Sequence, residues 1–236
     1  MDIVWHGYKI FYEKNHKISL CAGIEDIPKQ EFYCGYEFLE FLALNKMNGI
    51  LIFLYLLDFS FLLKHQFRFQ KHILGEDSLF GYQMLALAQR IVYVSHPLVY
   101  YRIRFGSLSR YELQESSQNF SSKECEEFLY DFSYSRSVFV LEMIDFLRRK
   151  EKELHPMSVY WIEQQIKYRS IGAFWMCKIK KDQKKGRKLC EEIWKYKKYC
   201  KEVEISSKIA FFFPKIYFVL KRAKEMIRDR ICFMYT

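Results

Sequence analysis

Glycine and proline are scarce, nine and four among 236 residues. A sandwich of many short strands needs a turn signal about every ten residues, so this scarcity argues for long elements, mostly helices. The seven cysteines, at 21, 34, 125, 177, 190, 200 and 232, form no CxxC pair and no regular spacing. That pattern argues against a zinc ribbon or a disulfide framework and points to reduced thiols in a cytoplasmic compartment. No apolar run free of charge reaches the roughly 20 residues that a bilayer-spanning helix takes. The strongest, residues 49–63, is interrupted by Asp58 and reads as a buried helix. Asp2, His6 and Lys9 break the opening apolar stretch, so it does not read as a secretory leader. Internal repeats and low-complexity tracts are also missing, which argues against a solenoid or a disordered array.

What the chain does have is apolar mass and an uneven charge. Half of it is hydrophobic and 19% aromatic, enough for a packed core and contrary to general disorder. Residues 178–230 hold 18 basic and seven acidic side chains, against 20 and 21 in the remainder. The formal charge of +10 therefore belongs to the tail, where it implies phosphate-rich partners. There Phe211, Phe212, Phe213, Ile216, Tyr217, Phe218 and Leu220 stand beside Lys221, Arg222, Lys224, Arg228 and Arg230. Two readings are open: a segment lying in an anionic membrane interface, and a core-packed helix with a solvated basic side.

Along the chain, residues 2–12 and 16–22 read as two strands of a hairpin and residues 24–31 as connecting sequence. Two helices are expected between residues 36 and 64, divided near 45–49, then a short strand at 67–73. A helix follows from Gly75 to about Arg90, with Leu79, Phe80, Met84, Leu87 and Ala88 at helical spacing. Strands at 91–95 and 98–104 are separated by a His96-Pro97 turn. Residues 116–122 form a polar linker, and helices are expected over about 123–150, 156–181 and 184–203. His6, His65, His72, His96 and His155 show no ligand spacing.

The chemistry-bearing stretch is residues 67–110, FRFQKHILGEDSLFGYQMLALAQRIVYVSHPLVYYRIRFGSLSR. Glu76 and Asp77 open its helix. Alone, they are acidic side chains in a first turn, favourable by about 0.3–1 kcal/mol. Arg102 and Arg104 alternate with Tyr101 and Ile103, as on any half-exposed strand. The order of these parts, an acidic pair at a helix start and about 25 residues later Tyr101-Arg102-Ile103-Arg104-Phe105-Gly106-Ser107, resembles the second half of the catalytic domain in bacterial family 2 glycosyltransferases of the GT-A fold. Asp2-Ile3-Val4 looks like the strand after that family's nucleotide-binding region, so the resemblance covers about residues 2–110.

The resemblance implies an α/β chain, α+β-like as it stands: a partial GT-A domain over residues 1–110 and a helical region over 111–236 with a basic amphipathic tail. It implies inverting transfer of a sugar from a nucleotide-sugar donor to a glycan or lipid-linked acceptor, such as a bacterial surface lipopolysaccharide. Asp77 would be the base and Glu76 would bind the acceptor or orient Asp77. Arg102, Arg104 and Ser107 would bind the departing diphosphate, which guanidinium forks suit. The full-length family uses a divalent metal, manganese or magnesium, held by an Asp-x-Asp motif that these residues lack; no metal ligand is assigned. The nucleotide-binding half is likewise expected to be missing. The implied location is cytoplasmic, peripheral on the inner face of the cytoplasmic membrane. The alternative is a non-catalytic basic helical protein binding nucleic acid or anionic membrane. Nucleic acid is disfavoured by the lack of a zinc-finger or RNA-binding aromatic-sheet motif.

Overall fold

Alternation of β-branched and aromatic residues makes the first element a strand, β1 (Ile3–Tyr12), and Glu13 to His16 turn it back into β2 (Lys17–Leu20) as an antiparallel partner. The computed structural model describes residues 1–20, 30–45, 50–104 and 122–223. Its described elements continue with β3 (Gln30–Phe32), α1 (Gly35–Leu44), β4 (Tyr55–Leu57), α2 (Phe59–His65), α3 (Glu76–Leu87) and β5 (Ile91–Ile103). Then come α4 (Ser122–Lys150), α5 (Pro156–Ala173), α6 (Gln183–Trp194) and α7 (Ile205–Phe212). Among the described residues helix far outweighs strand, in keeping with the shortage of glycine and proline. The architecture is mixed α/β with an open sheet of order β2-β1-β5-β3, β4 pairing with β1.

The residues group into two units, 1–120 with 146–162, and 121–145 with 163–236. In the first, β5 runs parallel to β1, a pairing that requires a long connection between them. Trp5 is buried against Tyr93 (centroids 4.9 Å apart) and Phe38 (5.6 Å), joining sheet to α1. Leu79, Phe80, Met84, Leu87 and Ala88 are all buried as their spacing predicts, but so are Gly81, Leu85 and Ala86. Helix α3 is therefore enclosed around most of its circumference and is not a surface helix with one apolar stripe.

The second unit has a core of Phe139, Val140, Met143, Ile166, Phe174, Ile193 and Phe211. Arg169 lies over the Phe139 ring at 4.0 Å. Cys177, Cys190 and Cys200 are buried free thiols there. Hydrogen bonding to Cys177, then burial, pushes the Cys190 thiol far up, and burial pushes Cys200 to about 11. Both are packing residues with little thiolate character.

Several elements depart from the sequence reading. Residues 50–63 are not one buried helix: a 3-10 turn (Ile52–Leu54) leads into β4, and Asp58 then caps α2 by accepting the Ser60 N–H at 2.8 Å. Antiparallel pairing of Tyr55, Leu56 and Leu57 with Trp5, Val4 and Ile3 wins over helical propensity. Residues 67–73 form no strand, because Gln66 and His72 both have positive φ. His96-Pro97 is not a turn between two strands; β5 runs through it as a bulge, Pro97 lying opposite Gly7 where a ladder can spare the missing N–H. Helix α5 ends at Ala173 and tightens into a 3-10 turn (Phe174–Lys178), and α6 ends at Trp194. Most of the connection expected at 24–31 and of the polar linker at 116–122 lies outside the described residues.

Candidate functional site

Gly75 precedes α3 with φ +76°, a left-handed turn that glycine adopts without strain. Its carbonyl accepts the N–H groups of Ser78 (3.1 Å) and Leu79 (3.4 Å), starting the helix. Glu76 and Asp77 thus fall in the first turn, where the helix dipole favours negative charge. The two differ in setting: Glu76 is exposed and Asp77 half-buried. The Ser78 N–H also donates to Asp77 Oδ1 at 2.7 Å, restricting the rotation of the carboxylate.

A residue outside the sequence expectation belongs beside this pair. The phenol of Tyr55, buried on β4, is pushed well above its ordinary range, first by burial, then by Tyr82 and Asp77. Tyr55 is therefore a neutral phenol within electrostatic reach of the Asp77 carboxylate. Its place follows from β4, which pairs it with Trp5; no local pattern around residue 77 could have pointed to it.

The chain matches no protein-family model and no curated protein sequence.

The basic residues sit elsewhere along the sheet. Arg102 pairs in register with Phe11, six residues beyond Trp5 on β1, which sets its backbone about 20 Å from the level of Tyr55 at ~3.3 Å per residue. Its guanidinium donates to Glu13 Oε1, both side chains being well exposed. Arg104 follows the end of β5 and is exposed as well. On the opposite face of the strand Tyr101 stacks on Phe53, with centroids 5.3 Å and planes 4° apart, and meets the Tyr8 edge at 6.2 Å. Ser107 lies outside the described residues. Asp77 is therefore within electrostatic reach of Tyr55, whereas Arg102 is held by Glu13 further along the sheet.

A recess of about 360 Å³ lies at the other end of α3, lined by Asp2, Ser60, Phe61, Lys64, His65, Leu87 and Gln89. Asp2 has a structural task there: its carboxylate accepts the Gln89 N–H at 2.7 Å and the Arg90 N–H at 3.2 Å, closing the turn into β5. Among the described residues no group of three or more His, Cys, Asp or Glu side chains could hold a metal ion. No described helix is long and apolar enough to cross a membrane.

Proposed function

We propose that this chain supplies the acceptor side of an inverting, family-2-like glycosyltransferase of GT-A type, with Asp77 as the base, acting on a bacterial surface glycan such as lipopolysaccharide. One observation carries the reading: Asp77 is half-buried in the first turn of α3, its Oδ1 held by the Ser78 N–H and its charge felt by the buried Tyr55. Local order of this kind suits a group that must meet one hydroxyl in one orientation.

In the proposed reaction the acceptor oxygen forms a bond to the anomeric carbon of a nucleotide sugar, on the face opposite the diphosphate. The bond to the diphosphate breaks and its electron pair leaves with the phosphate oxygen. The hydroxyl proton passes to the Asp77 carboxylate as the new bond forms, a contribution of about 10²- to 10⁴-fold. A neutral Tyr55 phenol would provide a hydrogen-bond donor near that carboxylate. Glu76, being exposed, would contact the acceptor sugar. Arg102, paired with Glu13, and Arg104 lie about 20 Å or more along the sheet from the level of Tyr55, too far to meet a diphosphate leaving beside Asp77, so neither is given that role; Ser107 lies outside the described residues. No step is routed through a metal.

Transfer of labelled sugar from a panel of nucleotide sugars to lipopolysaccharide core acceptors tests the reading, with the chain joined to a nucleotide-binding half of the family. Asp77→Asn is expected to lower kcat by about 10²- to 10⁴-fold while binding of acceptor oligosaccharide to the full chain survives. Turnover unchanged by that substitution removes Asp77 from the mechanism.

A further inference from the structure

The basic tail divides at Phe211. Ala210 and Phe211 are core residues of the second unit, Phe211 lying against Phe174 (5.4 Å) and Trp194 (5.8 Å). Beyond them the apolar side chains turn outward. Phe212, Phe213, Ile216, Val219 and Leu220 are 45–68% exposed, five large hydrophobic side chains in nine positions. Residues 214–223 are helical, and at 100° per residue Ile216, Val219, Leu220 and Ala223 share one face. Lys215 and Arg222, seven positions apart, run along its flank. Phe211 anchors the end of α7 in the core, and the helix over 214–223 follows the break at Phe213 with its stripe exposed.

Beside the stripe is a groove of about 480 Å³, lined by Lys180, Phe218, Val219, Lys221 and Arg222. Among the described residues Lys178, Arg187, Lys195 and Lys198 are ion-paired, with Glu204, Glu191, Glu192 and Glu163. The cations of the groove and flank have no such carboxylate partners among those residues. An exposed apolar stripe with unneutralised cations along one side needs a partner that is apolar and anionic at adjoining depths. A nucleic acid would leave Ile216, Val219 and Leu220 in water. A second copy of the chain would set the cations against one another. A bilayer surface rich in acidic phospholipid satisfies both at once.

We propose that the helix over residues 214–223 lies in the interface of an anionic bilayer, with Phe212, Phe213, Ile216, Val219 and Leu220 among the acyl chains and a lipid phosphate in the groove between Lys180, Lys221 and Arg222. The helix lies along the surface and does not cross it. The docking stands on its own, whether or not the chain transfers sugar.

Flotation of the full chain with vesicles decides the matter, comparing phosphatidylcholine alone with equal parts phosphatidylcholine and phosphatidylglycerol. Binding to the anionic vesicles is expected, weakening as salt rises, with little binding to the neutral ones. Ile216→Ser with Leu220→Ser, both exposed positions, lowers the affinity at least about tenfold while the circular dichroism spectrum stays that of the parent. Lys221→Gln with Arg222→Gln lowers it about fivefold per charge removed and flattens the salt dependence. Inorganic phosphate does not displace the protein from the vesicles. Equal binding to neutral and anionic vesicles overturns the proposal, as does anionic binding indifferent to the changes at 216 and 220. Tight oligonucleotide binding without vesicle binding would assign the cations to nucleic acid. A dimer dissolved by the serine substitutions, again without vesicle binding, would make the stripe a contact between copies.

Discussion

His65 shows how a single titrating group couples to stability. Its side chain is 9% exposed, wedged between Phe61 (5.0 Å) and Phe67 (5.6 Å) at the last turn of α2. Burial lowers its pKa from the ordinary 6.5, and Lys64 and Lys150 lower it further; Glu153, 3.8 Å away, and Asp2 oppose them without reversing the sign. The unfolded chain therefore binds this proton more readily than the folded one. Stability from the neutral imidazole is complete above about pH 6.5 and is lost as pH falls through that value toward the lower folded one. The urea midpoint should fall from about pH 7 to about pH 5.5, and His65→Asn should flatten that slope. An unaltered slope in the variant would assign the proton to another group. At this scale the sequence was partly legible: Asp77 announces itself through Gly75 and the helix after it. Tyr55 does not, because its bearing on Asp77 depends on a strand pairing 50 residues away.

Helices α1 and α3 meet at a point set by one missing side chain. A β-carbon on Gly35 would fall 1.4 Å from the Leu85 carbonyl oxygen, a backbone atom that cannot rotate aside. Gly75 is a different case: a β-carbon there meets nothing nearer than Ser78 Oγ at 3.9 Å, and only the φ of +76° resists substitution. Gly35→Ala should therefore cost about 3 kcal/mol or more, at or beyond ordinary overpacking, and Gly75→Ala about 1 kcal/mol. Urea unfolding separates them, and equal losses would remove the close approach as the cause. The same contrast between local and distant causes explains which elements could be read in advance. The β1–β2 hairpin and α3 carry their own periodicity and were legible. Strand β4 was not, since three residues inside an apolar run gain their conformation from Ile3, Val4 and Trp5. His96-Pro97 has the look of a turn, but register shifts at Gly7 let the sheet absorb it.

In the whole molecule, chain order and spatial grouping diverge. Residues 146–162 belong with the first unit although residues 121–145 of the second precede them. Their contribution is specific: the Tyr36 ring on α1 stacks on His155 at 4.4 Å and 17°, Glu153 lies beside His65, and Leu154 is buried. These contacts join residues about 90 to 120 positions apart. Closing such a loop has an entropic cost, so it is stabilising only when the contacts form together, which makes the first unit dependent on a distant segment. A fragment ending at residue 120 would retain the sheet, α1, α2 and α3 yet expose the Tyr36 face and leave His65 without Glu153. Its thermal transition should be broad and lower than that of the full chain by circular dichroism, whereas a fragment ending at residue 162 should recover a sharp one. If the shorter fragment unfolded as cooperatively as the longer, at the same midpoint, residues 146–162 would be passengers on the first unit and not part of its fold.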